Sequence, residues 1–111
     1  MTSTHEAPRL RIGIVGAGRV GAVLGAAWER SGHRVVAHSV GDDAAERAAA
    51  LLPTSIRCEP ADVPGEADLV LLAVPGRDAA GVVHGLLAAG ALRPGQLLVQ
   101  TVPGVGVELL S

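Results

Sequence analysis

The chain has 111 residues, of which 49% are hydrophobic, so it can build one hydrophobic core and a single domain is expected. A formal net charge of −2, with nine basic residues scattered along the sequence, argues against a nucleic-acid partner. The single cysteine excludes an intramolecular disulfide and favours a cytoplasmic location, and no apolar stretch reaches the roughly 20 residues that cross a bilayer.

The first part of the chain predicts a strand, a tight turn and a helix. Residues 1–9 are polar and are expected to be a disordered lead-in, so the domain is predicted over residues 10–111. An apolar run at residues 10–15 is typical of a strand buried on both faces. The sequence GAGRVG follows, and the apolar spacing after it predicts a helix over residues 19–30. The predicted apolar stripe of this helix consists of Val20, Leu24, Ala27 and Trp28, and Gly21 with Gly25 is expected to let the helix lie close to the sheet.

Three glycines in this turn, Gly16, Gly18 and Gly21, predict a binding site for a dinucleotide. Gly16 permits the sharp turn out of the strand, Gly18 lets a pyrophosphate approach the backbone, and Gly21 lets the helix pack closely on the strand. The free N–H groups and the positive dipole end of the helix attract an anion. Such turns also occur in α/β domains that bind nothing, but the strand before this motif and the helix after it favour dinucleotide binding over a purely structural turn.

The middle of the chain continues the alternation of strands and helices. Asp43 followed by Glu46 has the spacing of a capping box and predicts the start of the second helix. The Pro, Gly and acidic residues after Cys58 predict a loop with at most one helical turn. In order, the predicted elements are a strand at residues 34–38, a helix at 43–52, a weak strand at 56–58 and the loop at 59–67.

Another buried strand and a third helix are predicted next. The strand covers residues 68–74, and Pro75 and Gly76 end it. Asp78 is predicted to cap the helix, which ends near Gly90. The predicted apolar stripe of this helix consists of Val82, Val83, Leu86 and Leu87.

The last predicted strand is residues 96–101, and residues 105–111 are predicted to begin another helix. Strands and helices alternate without a tight hairpin signal, which predicts a parallel sheet with right-handed crossovers and helices on both faces. The expected fold is therefore a doubly wound, three-layer α/β domain (αβα). Because no breaker follows the last predicted helix, the chain is expected to be part of a longer protein; the alternative is a minimal domain that a partner completes.

Three runs of sequence, IGIVGAGRVG, ADLVLLAVP and RPGQLLVQTVPGVGVELL, carry a resemblance to a known family. They resemble the N-terminal Rossmann-like domain of NADP-dependent oxidoreductases that carry a second, helical C-terminal domain. More distantly, they are similar to pyrroline-5-carboxylate reductase, the deazaflavin-dependent NADP oxidoreductases and the 6-phosphogluconate dehydrogenase group. The resemblance covers nearly the whole chain from Arg11 onward, and it implies a dehydrogenase-type cofactor domain.

The resemblance also implies a cofactor site along one edge of the sheet. Ser39, at the end of the second strand, would lie near the adenosine ribose, and Thr101 would face the nicotinamide side. Val74 and Pro75 would line the cofactor at the end of the fourth strand. The residues that would hold the pyrophosphate or support its turn are Gly16, Ala17, Gly18, Arg19, Val20 and Gly21.

The residues at the end of the second strand do not decide between NADP and NAD as the cofactor. An NAD-binding domain places an acidic residue about 20 residues beyond the glycine motif, where it binds the ribose hydroxyls. His38 and Ser39 hold that place here, and the missing carboxylate favours NADP, with Ser39 as a donor and Arg34, His38 or Arg47 as a charge partner of the 2′-phosphate. Asp42 would serve NAD instead if the loop shifted; the alternative is that it only stabilises the helix start.

No catalytic residue is visible in the sequence. Cys58 is expected to be a small buried hydrophobe, and neither it nor the histidines stand at catalytic or metal-ligand spacing, so no metal site is predicted. Hydride transfer needs no protein nucleophile, since the cofactor carries the chemistry. A general acid is expected from the helical domain, so these 111 residues are expected to bind cofactor with little or no turnover.

Two other functions stay open at this point. A fold does not fix a function, so a non-catalytic nucleotide-sensing or interaction module is one alternative. A methyltransferase-like domain that binds S-adenosylmethionine is another, although it would need an acidic residue at the end of the second strand. Trp28 is predicted to lie in the core and could instead anchor a partner. The predicted partners are a nicotinamide cofactor and either the helical C-terminal domain or a second copy of the chain, with no membrane.

Overall fold

The computed structural model describes residues 9–102 and 106–110 and, within them, the side chains of residues 9–101. The expected lead-in therefore lies, except for Arg9, outside the described residues. Two short 3₁₀ turns occur, at Asp42–Ala44 and Pro60–Asp62, and the second confirms the single helical turn predicted in that loop. The strands and helices are β1 (Arg11–Val15), α1 (Arg19–Arg30), β2 (Arg34–Ser39), α2 (Ala45–Leu51), β3 (Ile56–Arg57), β4 (Leu69–Leu72), α3 (Gly76–Ala88), β5 (Leu97–Val102) and β6 (Gly106–Leu110).

The strands form one sheet in the order β3-β2-β1-β4-β5-β6. The first five strands pair in parallel, and β6 pairs antiparallel with β5. After β3 the chain crosses to the other side of β1, so the strand order reverses between β1 and β4. The predicted doubly wound α/β fold is confirmed.

Helices cover both faces of the sheet because successive side chains of a strand point to opposite sides. Leu71 of β4 lies in an apolar cluster with Ala22 of α1 and Ala48 of α2. The next residue, Leu72, lies in a second cluster with Leu86 of α3. The sheet is therefore the middle of three layers.

The buried face of α1 differs from the predicted stripe. Val20, placed in that stripe by its hydrophobicity, is 57% exposed, and Trp28 is half-buried against the core. The buried residues are all small, namely Gly21, Ala22, Gly25 and Ala26. A Cβ on Gly25 would lie 2.6 Å from Cδ1 of Ile14, so the helix lies too close to the sheet for larger side chains to fit between them.

The two predicted helix caps are also wrong. Asp43 lies inside the 3₁₀ turn before α2, where Ala44 is the N-cap and no side chain bonds to the helix start. Asp78 lies within the first turn of α3, where Pro75 is the N-cap. Both acids still carry their charge near the positive end of a helix, which is a favourable placement without a capping bond.

The apolar stripe of α3 is confirmed in part. Leu86 is buried, and Val82 and Val83 are half-buried, as predicted. Ala79 is buried one turn earlier, whereas Leu87 is 61% exposed. The face of α3 that packs against the sheet is therefore narrower than hydrophobicity alone predicts.

The helix predicted over residues 105–111 is wrong where the structure describes it. Gly106–Leu110 is a strand, with Val107 opposite Thr101 and Leu110 opposite Leu98. An unpaired edge strand leaves a row of backbone N–H and C=O groups without partners, and antiparallel pairing with β5 satisfies them. Tertiary pairing thus overrides a local pattern of only a few residues.

A clasp of two side chains joins the turn before β5 to the loop before β4. The Arg93 guanidinium donates to the carbonyl oxygens of Pro64 (3.1 Å), Gly65 and Ala67 (3.2 Å). The Gln96 side chain donates to the carbonyls of Pro64 and Ala67, at 2.8 Å each. Its own carbonyl oxygen accepts the Arg93 backbone N–H at 2.7 Å. The Arg93 guanidinium and the Gln96 amide therefore supply the hydrogen bonds that these loop carbonyl oxygens need.

Replacing Arg93 with alanine is expected to lower the free energy of unfolding by about 2 kcal/mol, because loop carbonyls lose a charge-assisted donor. Chemical denaturation measures this loss. Arg47, an exposed arginine of α2, provides the matched control, and Arg47→Ala should change stability by less than about 0.5 kcal/mol. An Arg93→Ala variant as stable as that control would contradict the role of the clasp.

Candidate functional site

The glycine turn after β1 is fixed by the neighbouring strand β2. Gly16 has a φ of +88°, and a Cβ there would lie 2.7 Å from Cγ1 of Val74. The N–H of Ala17 donates to the Ser39 carbonyl at 2.7 Å. The N–H of Gly16 lies 3.2 Å from the same carbonyl and 3.1 Å from the Ser39 hydroxyl oxygen, which accepts it. Both conformation and space therefore require glycine at position 16.

Gly18 is the N-cap of α1 and leaves the start of this helix open. Its backbone is extended, no side chain caps the helix, and no atom beyond its chain neighbours lies within 4 Å of where a Cβ would be. The Gly18 carbonyl accepts the N–H of Ala22 at 2.9 Å as the first helical bond, so the N–H groups between them have no intrahelical acceptor. Free donors at the positive end of a helix, beside open space, form a cradle for an anion.

Gly21 brings α1 against the glycine turn and the end of β4. A Cβ on Gly21 would lie 2.8 Å from the carbonyl oxygen of Gly16 and 3.1 Å from Cβ of Ala73. Gly21 therefore has a packing role, and it sets the position of the cradle at Gly18.

A cleft of about 450 Å³ opens beside the turn, at the carboxyl ends of β1, β2 and β4. Ligands of open α/β sheets bind at this edge, where the strand order reverses. Three of the predicted site residues line the cleft: Gly16, Ser39 and Val74. The other lining residues are Val15, Val40, Gly41, Arg57, Cys58, Glu59, Pro60 and Val82.

The remaining predicted site residues lie along the same edge of the sheet, outside this cleft. Arg19 and Val20 are exposed in the first turn of α1, and Pro75 is the N-cap of α3. Thr101 lies on β5, one residue beyond Gln100, which pairs with Leu72 of β4. Ser39 on β2 and Thr101 on β5 are therefore on opposite sides of the glycine turn.

The three predicted charge partners of a ribose phosphate are not placed for that role. His38 is 3% exposed, and its Nδ1 is 2.7 Å from the Ser55 hydroxyl. Burial, and then the nearby Arg57 charge, lower the pKa of His38, so its imidazole is neutral at pH 7. Arg34 begins β2 and so lies at the opposite edge of the sheet, and Arg47 is on α2 and does not line the cleft.

Arg57 is the cationic residue that the sequence analysis missed. It ends β3, where it pairs with His38 of β2, and its side chain lines the cleft at 47% exposure. Its Nη2 donates to the Val40 carbonyl at 3.0 Å and to Oδ1 of Asp42 at 2.8 Å. The signal available in the sequence was position: a residue at the end of β3 lies beside the end of β2 when the two strands are parallel.

Cys58, expected to be a buried hydrophobe, is instead half-buried and lines the cleft. Burial, followed by the Asp62 and Glu59 charges, raises the pKa of its thiol and keeps it protonated. Within residues 9–102 and 106–110 there is no group of His, Cys, Asp and Glu side chains placed to hold a metal ion. None of the described helices has the length and apolar character needed to span a bilayer.

Comparison with known proteins agrees with this fold. The sequence model of the Rossmann-like domain family matches residues 1–111. A search of curated proteins gave no match. Three similar solved structures come from bacteria. A protein described as an NADP oxidoreductase from Bacteroides fragilis is 23% identical, with a TM-score of 0.70 over 84% of this chain and 36% of that chain.

The second, described as an F420-dependent NADP reductase from Arthrobacter sp. FB24, is 20% identical, with a TM-score of 0.65 over 89% of this chain and 50% of that one. The third, an imine reductase variant from Myxococcus stipitatus in complex with NAD+, is 26% identical, with a TM-score of 0.61 over 87% of this chain and 32% of that one. The likeness is one of fold, and the chain spans half or less of the length of each of these proteins.

Proposed function

The chain belongs to the Rossmann-like domain family, and we propose that it is the cofactor-binding domain of an oxidoreductase. It binds a nicotinamide dinucleotide in the cleft beside the glycine turn. The observation that carries the proposal is the open helix start at Gly18, next to the cleft that Gly16 lines. A pyrophosphate fits this cradle because it needs close backbone approach and N–H donors.

The proposed contacts divide the sheet edge into three regions. We place the pyrophosphate against Gly16, Ala17, Gly18, Arg19 and Val20, where the free N–H groups that follow Gly18 donate to it, and Gly21 supports this turn by its close packing. Ser39 lies at the adenosine ribose end. Val74 and Pro75 line the cofactor at the end of β4, and Thr101 on β5 faces the nicotinamide side.

We propose NADP as the preferred cofactor, and this finer point depends on Arg57. A guanidinium in the cleft beside Ser39 suits a 2′-phosphate, since arginine offers fixed donors that match phosphate oxygens. Asp42, the candidate for binding the ribose hydroxyls of NAD, is instead paired with Arg57. The comparison structures include descriptions that name NADP and one complex with NAD+, so the preference has to be measured.

The chemistry of the complete protein is proposed to be hydride transfer, which the bound nicotinamide would supply. The chain's own residues bind the cofactor and orient it at the carboxyl edge of the sheet. The ionisable side chains lining the cleft in the described part of the chain are Arg57, Cys58 and Glu59. A general acid is expected from the helical C-terminal domain, so we propose that these residues bind cofactor with little turnover. From the single cysteine we propose that the protein is cytoplasmic.

Replacing Arg57 with alanine tests the cofactor preference. NADPH affinity is expected to fall by about tenfold or more, because a charge-assisted hydrogen bond is worth about 1.5–3 kcal/mol, and NADH affinity should change by less than about twofold. Equilibrium titration of both cofactors measures the two constants. Arg47→Ala, the exposed control on α2, should leave both unchanged. An equal loss for NADPH and NADH, or no loss for NADPH, would contradict the preference.

A further inference from the structure

We propose that Asp42 is a specificity-determining residue that weakens 2′-phosphate binding by competing for Arg57. This inference rests on the proposed function, since it concerns the ribose end of the same cleft. Asp42 would then act against NADP rather than for NAD. The two roles predict opposite effects of the same substitution, which makes them separable by experiment.

The ion pair has the geometry of a competitor. Nη2 of Arg57 is 2.8 Å from Oδ1 of Asp42 and 3.0 Å from the Val40 carbonyl, so both hydrogen bonds described for this guanidinium use Nη2. The carbonyl bond ties the guanidinium to the strand end, and the carboxylate bond neutralises it. A phosphate that binds Arg57 must either displace the carboxylate or accept its negative charge nearby.

Exposure indicates that the pair has little structural value. The Asp42 side chain is 99% exposed and that of Arg57 is 47% exposed. Ion pairs between exposed side chains contribute little to folding because water and salt screen them. The Asp42 carboxylate can therefore separate from Arg57 when a 2′-phosphate binds. Removing this carboxylate by mutation should not affect the fold.

Position also argues against a direct role for Asp42 at the ribose hydroxyls. The cleft is lined by Ser39, Val40 and Gly41, whereas Asp42 begins the 3₁₀ turn that follows them. A carboxylate that binds two ribose hydroxyls has to lie at the strand end inside the cleft. Here Ser39 holds the strand end, and its hydroxyl oxygen accepts the N–H of Gly16.

Asp42→Asn removes the charge and keeps the shape of the side chain. It is expected to tighten NADPH binding by about two- to fivefold, the range that corresponds to an exposed ion pair of about 0.5–1 kcal/mol, and to leave NADH binding unchanged. Asp43→Asn is the matched control, because it removes the same charge from the next residue of the same turn. It should change neither affinity by more than about twofold.

Isothermal titration at low ionic strength, in wild type and in the Arg57→Ala background, tests the inference. In that background Asp42→Asn should no longer affect NADPH binding, because the competition needs Arg57. Unchanged NADPH affinity in Asp42→Asn would overturn the inference while leaving the proposed function intact, and so would weaker NADH binding, which would assign Asp42 to the ribose hydroxyls. Failure of the wild-type chain to bind either cofactor would overturn the proposed function and this inference with it.

Discussion

Replacing Gly18 with aspartate is expected to weaken nicotinamide dinucleotide binding strongly while the fold stays intact. Gly18 has an extended backbone that any residue adopts, and nothing occupies the space where its side chain would extend. Aspartate is a favoured N-cap, and its carboxylate would accept the free N–H groups at the start of α1. Those are the donors that the pyrophosphate is proposed to use.

The expected loss of affinity is large because the aspartate carboxylate would both occupy the N–H donors and repel the negative charge of the pyrophosphate. Two like charges about 4 Å apart repel by about 4 kcal/mol at an effective dielectric constant near 20, so binding should weaken by more than about a hundredfold. The midpoint of thermal unfolding should stay the same or rise slightly. Gly18→Asn is the control: it caps the helix without a charge and should cost less affinity. An aspartate variant that binds cofactor within about threefold of wild type would place the pyrophosphate elsewhere.

Gly21→Ala is expected to destabilise the protein, although alanine is normally the better helix former. The added methyl group would meet the Gly16 carbonyl oxygen at 2.8 Å, and backbone at that distance cannot move aside as a flexible side chain can. Overpacking of this kind costs about 1–3 kcal/mol, partly offset by a helix propensity gain of about 1 kcal/mol. In a domain of this size each kcal/mol lost lowers the unfolding midpoint by about 4–8 °C.

Gly85→Ala gives the matched comparison within the same protein. Gly85 lies inside α3, is exposed, and has no neighbouring atom within 4 Å of the position of a Cβ. The same substitution there should raise stability by about 0.5–1 kcal/mol. Opposite signs at the two positions, measured by thermal unfolding, are the expected result. Stabilisation at both would show that α1 has room to move away from the sheet.

The features that the sequence predicted well are those set by local pattern. The first helix was predicted over residues 19–30 and runs over Arg19–Arg30, because the glycine motif starts it and Ser31 and Gly32 end it. The parallel order of the first five strands followed from the alternation of strands and helices. Gly16 was correctly assigned to the turn, since its positive φ leaves few other residues possible.

The features that could not be predicted from the sequence depend on contacts between distant parts of the chain. Arg57 reaches the cleft only because a strand of two residues pairs with the end of β2, and no local periodicity marks so short a strand. Gly106–Leu110 is a strand because the edge of β5 offers partners. In α1 the close contact with the sheet was predicted from Gly21 and Gly25 and is confirmed; only the placement of Val20 in the buried stripe, which rested on its hydrophobicity, was wrong.

The roles of the predicted site residues remain predictions. Gly16, Ser39 and Val74 come together in one cleft, which is the arrangement that the proposed function needs. Thr101 and Ser39 lie on opposite sides of the glycine turn. Thr101 therefore faces the nicotinamide only if the pyrophosphate binds at Gly18, between them. All of these assignments therefore depend on where the pyrophosphate binds.

Thermal unfolding of the chain with NADPH, NADH and S-adenosylmethionine at matched concentrations tests the central claim most directly. A ligand at about 100 times its dissociation constant stabilises the folded state by about 2.7 kcal/mol, which should raise the midpoint by several degrees. We predict a clear rise with NADPH, a smaller one with NADH and none with S-adenosylmethionine. A rise with S-adenosylmethionine alone, or no rise with any of the three, would contradict the claim that the glycine turn binds a nicotinamide dinucleotide.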